Sequence, residues 1–313
     1  MAGNVTISAS RGELLHRLAG GICQKLGAPA SSPGRELAFQ ILGALVIGFG
    51  VGVFNFVVEH SMYAICKGLE NRKIIRRICP SIAVDFALHY RTGSFLGVSL
   101  SYVPVGFFLT RYRAGFLNRI GFHFDPLGML IFQWAFMFLH DWWFFTVHYM
   151  MHKYKAIYMR FHYMHHKSGG DLSVFSTGFM EWADLLATIS FFHGFVMTWL
   201  YWQRPMWNAA ALLWYFACEN AANMVGHCGY DLPHWLTTAL SLGSLGTPWS
   251  QNAQIHYVHH LDPRYNKSLY FTWWDQLVGS HRSTHRLMER DRARYDAKGD
   301  LIEVEPRAEV KSS

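Results

Sequence analysis

Three histidine blocks carry the chemistry this sequence could do. His148-Tyr-Met-Met-His152 is an HxxxH, and His162-Tyr-Met-His165-His166 and His256-Tyr-Val-His259-His260 are each an HxxHH. On a helix, residues at i, i+3 and i+4 lie on one face, so each block presents two or three imidazoles to one point. Neutral imidazole is a common ligand for iron, zinc, copper and nickel. Eight imidazoles are too many for one ion and suit two. A water-activating zinc site keeps three protein ligands, and no Glu follows the first His as HExxH requires. Two redox-active ions suit the activation of O2 for attack on an unactivated C–H bond. Iron is the usual metal for such work, with ligand type leaving copper and manganese open. The isolated His16, His60, His89, His123 and His193 read as ordinary core residues.

The elements that must position these blocks are helices. The third block follows Thr247-Pro248, a predicted N-cap with Pro at the first helical position, and stops at Asp262-Pro263. The second follows an amphipathic stripe of Tyr154, Ile157, Tyr158 and Phe161 and ends at Gly169-Gly170. Asp141 precedes His148 by seven residues and shares its helical face, so it is expected to receive an imidazole N–H.

Composition places those helices in a membrane. Of 313 residues 51% are hydrophobic and only 16% charged, against about 25% charged in ordinary soluble domains. Disordered, collagen-like and low-complexity chains are excluded on the same ground. Residues 37–58 carry no charge and predict a membrane span. Further spans are expected at 92–110, 126–147, 184–203 and 206–226, with a tight helical hairpin at Gln203-Arg204-Pro205. His140, Asp141 and Glu219 fall inside them and should face a bundle interior or a wet site. Two spans between the second and third blocks return the chain to one side, and the bias of Lys and Arg toward that side makes it cytosolic. The expected fold class is all-α, an integral membrane helical bundle with a cytosolic histidine-rich helical cap. Its segments are 1–36, an oxygenase domain at 37–280 and a charged, solvated tail at 281–313. There is no h-region of a cleavable signal peptide. The five cysteines form no CxxC pair and read as reduced, buried thiols. No compact basic domain with nucleic-acid motifs is present, so no nucleic-acid partner is expected.

The order HDWWFFTVHYMMH, FHYMHH, HCGYDLP and HYVHH, followed by FTWWDQLVGS, resembles the membrane fatty acid hydroxylase/sterol desaturase superfamily. Within it, the chain looks closest to C-4 methylsterol oxidases and cholesterol 25-hydroxylases, from about His140 to Gly279. The resemblance implies a non-haem diiron oxygenase of the endoplasmic reticulum that hydroxylates a sterol or related isoprenoid lipid. It implies two iron ions and a separate electron donor such as cytochrome b5 with its NAD(P)H-dependent reductase. The iron ligands it implies are His148, His152, His162, His165, His166, His256, His259 and His260, with His227 and His140 in addition. Asp275 matches a late acidic residue of structural or ligand-supporting kind. Tyr149 stands where the family usually has Arg, and Met180-Glu181-Trp182-Ala183 replaces a His-Pro-x-Glu segment. Desaturation, squalene-type epoxidation and fatty acyl hydroxylation are alternative outcomes of such a site. A non-enzymatic protein that binds a structural metal or senses pH is disfavoured by the number of clustered imidazoles.

Overall fold

The computed structural model describes residues 33–79, 88–112, 120–167, 171–196 and 207–283. The expected N-terminal segment through residue 32, His16, the 203–205 hairpin and the tail from 284 onward lie outside them, as does the side chain of His89.

Apolar length dictates the first two elements. Helix α1 (Pro33–Asn71) has 39 residues, about 58 Å at 1.5 Å per residue. Its hydrophobic run does not end at Glu59. That carboxylate is buried and accepts a short hydrogen bond from Ser94 Oγ, so the helix continues past it. Helix α2 (Leu88–Tyr112) runs antiparallel to α1, with Gly43 against Thr110 and Gly52 against Ser99. A Cβ on Gly48 would lie 2.5 Å from the Ser99 carbonyl oxygen, and one on Gly106 2.9 Å from Ala44 Cα. Glycine at these two positions is what lets the helices approach.

Among the described residues these two helices are long and apolar enough to cross a membrane. Three of the five expected spans therefore lack that character in their described parts. Helix α3 (Pro126–Lys153) begins with Asp125 accepting from Gly128 N at 3.1 Å and Pro126 in its first turn. It buries Gln133, His140, Asp141 and His148, and those polar groups dilute its apolarity. Helix α5 (Trp182–Val196) is shorter, 15 residues as described. Helix α6 (Ala209–His227), capped by Asn208, buries Glu219 and His227.

Between α3 and α5, the helical run 155–166 (α4) comprises Lys155–Ile157, a π turn at Tyr158–His162 and Tyr163–His166. After α6 come α7 (His234–Leu240), α8 (Ala253–Leu261) and α9 (Trp273–Leu277). The expected cap at Thr247-Pro248 does not start α8. Asn252 does, its side chain accepting from Ile255 N at 2.9 Å, while Thr247 is tied into a turn with Ser250. The expected stop at Asp262 holds.

Strand structure is minimal. Strand β1 (Arg76–Arg77) pairs antiparallel with β4 (Tyr230–Asp231), and β2 (Ile120–Gly121) pairs parallel with β3 (Trp207–Asn208). The first pair ties the end of α1 to the end of α6, and Arg77 reinforces it by donating to Glu70 Oε1 at 2.8 Å from beneath the Tyr230 ring. The core between α3 and α6 is built on Met137, Tyr215, Cys218, Met224, Tyr257 and Phe271. Cys66, Cys79, Cys218 and Cys228 are buried and form no disulfide among the described residues, and Cys23 lies outside them.

Candidate metal centre

Helical spacing sorts the histidines into two groups. Residues i and i+4 share a face, and His148/His152, His162/His166 and His256/His260 each stay together. The histidine at i+3 crosses over. His259 joins the first group, with His148, His152, His162 and His166, and His165 joins the second, with His227, His256 and His260. Within each group the ligand-capable atoms lie within 4.8 Å of one another. The π turn at Tyr158–His162 offsets the second block from plain α-helical register, a distortion often found where helices carry function. The groups adjoin, with the His166 and His260 rings 4.7 Å apart and the His165 and His166 rings 5.3 Å apart.

Hydrogen bonds fix the tautomers. A carbonyl or carboxylate can only accept, so the nitrogen facing it carries the proton. His148 Nδ1–H donates to the Lys267 carbonyl at 2.7 Å, His162 Nδ1–H to Asp184 Oδ2 at 2.7 Å, and His259 Nδ1–H to the Tyr265 carbonyl at 2.7 Å. In the second group His227 Nδ1–H donates to the Asn223 carbonyl at 2.9 Å. Each of these rings therefore turns a lone pair on Nε2 toward its group. His148 and His162 place those Nε2 atoms 2.9 Å apart, and His259 Nε2 is buried with no protein partner. Lone pairs brought together in this way need a cation between them, so the residues fit a bound metal ion. In the second group His256 Nε2 lies 2.8 Å from His227 Nε2 and 3.2 Å from His260 Nε2.

Burial keeps the rings neutral, the form a metal requires. Desolvation, followed by the neighbouring imidazoles, holds His165, His166, His256, His259 and His260 well below the usual histidine pKa. Burial brings His227 down to about 4 despite its bond to the Asn223 carbonyl.

Two carboxylates shape the loop that orients His148. Asp141, expected to receive an imidazole N–H, instead accepts from the backbone N–H groups of Leu269 and Tyr270 at 2.8 and 2.7 Å. It sits on the His148 side of α3, but the 267–271 loop packs against it first. Asp275 accepts from Lys267 N and Ser268 N at 2.9 and 2.8 Å. Together they hold the Lys267 carbonyl that receives His148. The carboxylate that does contact an imidazole of the two groups is Asp184, 22 residues from His162, at the start of α5. No local spacing signals it.

His140 does not join either group. Its Nε2–H donates to the Thr188 carbonyl at 3.2 Å, which sends its Nδ1 toward a third buried group with His193 and Glu219. Tyr270 OH donates to Glu219 Oε1 at 2.9 Å, and Tyr102 OH contacts His193 Nδ1. Thus His193 is buried but belongs to a polar network, while His123 is exposed and His60 only partly buried, against a core role for these two.

The relatives of this chain bear on what such a centre does. Residues 133–280 match the fatty acid hydroxylase family. The resemblance read from the histidine blocks is borne out, and the matched segment contains every one of the nine clustered histidines. Similar curated proteins are a cholesterol 25-hydroxylase-like protein of Danio rerio, 31% identical over 157 residues (49% of this chain, 57% of the relative). A second Danio rerio protein, cholesterol 25-hydroxylase-like protein 1, member 2, is 28% identical over 146 residues (46% and 48%). The C-4 methylsterol oxidase of Schizosaccharomyces pombe is 27% identical over 179 residues (56% and 55%). The chain spans about half the length of the curated relatives it matches. No solved structure gives a significant match.

Tyr149 lines an opening of about 410 Å3 together with His152, Lys153, Arg264 and Lys267. Lys153 and Lys267 lie 5.9 and 5.6 Å from its ring centroid, so positive charge remains beside the first histidine group.

Proposed function

We propose that the chain is an O2-dependent oxidoreductase that holds two iron ions and hydroxylates a sterol or related isoprenoid lipid. The observation that carries this reading is the division of nine histidines, seven buried and two half-buried, into two adjoining groups with lone pairs turned inward. His148, His152, His162, His166 and His259 would hold one ion, and His165, His227, His256 and His260 the other. When bound, such a pair supplies the oxidising power for C–H cleavage with O2. The protein's own contribution is to keep the imidazoles neutral, to aim their Nε2 lone pairs through Lys267, Asp184, Tyr265 and Asn223, and to exclude water by burial. The family match and the sterol hydroxylases and oxidase among its relatives support the reaction class and a lipid substrate.

The same reading places α1 and α2 in a membrane. The exposed apolar side chains of Leu37, Ile41, Leu45 and Phe49 support this, because such a face suits lipid. It also places the centre on the cytosolic side of the endoplasmic reticulum in a multi-pass chain, supplied by a separate donor such as cytochrome b5 with its NAD(P)H-dependent reductase. The basic opening beside His152 is where an acidic donor would meet the centre. The full chain, expressed in a host of defined lipid content under 18O2, should yield a labelled hydroxysterol. Loss of two hydrogens without label would replace hydroxylation by desaturation.

A further inference from the structure

A second cavity, of about 310 Å3, lies among α1, α2, α5 and α6. Its lining includes Phe54 and Leu213, both exposed, so it reaches the surface of the bundle on the flank of the apolar helix α1. Most of its wall is aliphatic and aromatic, in the manner of small-molecule pockets. Its inner wall is polar and includes Thr177, Glu219, Asn220 and Asn223. Two of these groups are unsatisfied. Thr177 is 5% exposed and its Oγ1 has no hydrogen-bond partner, and Asn223 Oδ1 is buried with none. Buried polar atoms are rarely left in this state unless a ligand or water completes them. Asn223 also belongs to the centre by its backbone, since its carbonyl accepts from His227.

We propose that this cavity is the lipid chamber, entered laterally past Phe54 and Leu213, and that Thr177 and Asn223 bind an uncharged hydroxyl group of the lipid. A hydroxyl can donate to Asn223 Oδ1 and accept from Thr177 Oγ1, which completes both orphans at once. No Lys or Arg is among the cavity's lining residues, and Glu219 is. A carboxylate or phosphate head group would be desolvated there with no counter-ion, which is costly. The chamber thus selects a neutral lipid alcohol over a fatty acid or an acyl phosphate-bearing carrier. This assignment rests on the proposed function for the identity of the lipid as substrate.

Binding and iron content separate the two. Full-length protein in nanodiscs would be titrated with the fluorescent sterol alcohol dehydroergosterol, with palmitate as competitor. Gly50→Leu places its first carbon where nothing lies within 4 Å, so it can fill the cavity wall without a backbone clash. It is expected to abolish binding with iron content unchanged. Thr177→Val is expected to weaken binding about tenfold, the worth of one hydrogen bond. Dehydroergosterol binding that survives both substitutions, or palmitate that competes as well as the sterol, would overturn the assignment even if the protein contains iron and turns over lipid. Sterol binding without bound iron would retain the chamber and reject the proposed function.

Discussion

His148 and His162 meet Nε2 to Nε2 at 2.9 Å while their Nδ1 protons are committed to the Lys267 carbonyl and the Asp184 carboxylate. Neither facing nitrogen can carry a hydrogen in the neutral ring, so the pair is a place for a cation. The same two acceptors identify which parts of the molecule set the site and which merely adjoin it.

Asp184→Asn keeps an acceptor for His162 Nδ1–H but removes its charge, and with it much of the basicity lent to the ring. Metal affinity is expected to fall by about 10-fold to 100-fold, the usual effect of removing such a partner, with helicity unchanged. Titration of the metal-stripped protein beside circular dichroism checks this.

Asp141→Ala removes the acceptor for two buried backbone N–H groups. The loss is expected to cost about 2 kcal/mol or more, as each buried donor left unsatisfied costs about 1–3 kcal/mol. Because Asp141 holds the 267–271 loop and touches no imidazole, a lowered melting temperature should appear in the metal-free protein too. An effect confined to the metal-loaded protein would assign Asp141 to the ligand set instead.

His140→Ala and His259→Ala should differ. His140 sits with His193 and Glu219, outside both groups, so its loss is expected to leave the bound iron in place while disturbing packing among Tyr215, Tyr270 and Phe192. His259 offers an unpartnered Nε2 to the first group, and its loss should reduce bound iron by half or more. Metal analysis of the two purified variants, side by side, decides.

Acid should unfold the metal-free protein early. Histidines ordinarily titrate near 6.5, and burial brings His227 down to about 4, with His165, His166, His256, His259 and His260 also well below. Between those values the unfolded chain binds protons that the folded chain does not, so stability falls as pH falls through 6.5. Each such group can contribute up to about 1.4 kcal/mol per pH unit. Denaturant midpoints should be flat above pH 7.5 and drop steeply from pH 6.5 to 5.

Much of this centre was legible in the sequence because helical period places i and i+4 on one face. The three blocks and their helices follow from that. The crossover of His165 and His259 does not, because the spacing predicts one point for each HxxHH block, whereas its i+3 and i+4 rings sit about 100° apart around the helix and turn to different groups. The 155–166 run, the Asp262 stop and the buried thiols follow equally from local chemistry. Asp184, by contrast, reaches His162 only because α5 folds back over α4, and no spacing encodes that. Asp141 shares a face with His148 but meets a loop 128 residues onward, a tertiary contact that outranked the local one. Of the expected spans, those on α1 and α2 are long and apolar enough to cross a membrane among the described residues. Helices α3 and α6 read as membrane segments by composition, yet their inner faces carry His140, Asp141 and Glu219, which pair inside the bundle.

Iron stoichiometry of the purified full chain tests the central claim most directly. Two groups of inward-facing imidazoles predict close to two irons per chain, both lost on replacing His162 together with His256. One zinc ion per chain with no iron, or no bound metal after reconstitution with ferrous iron, would contradict it.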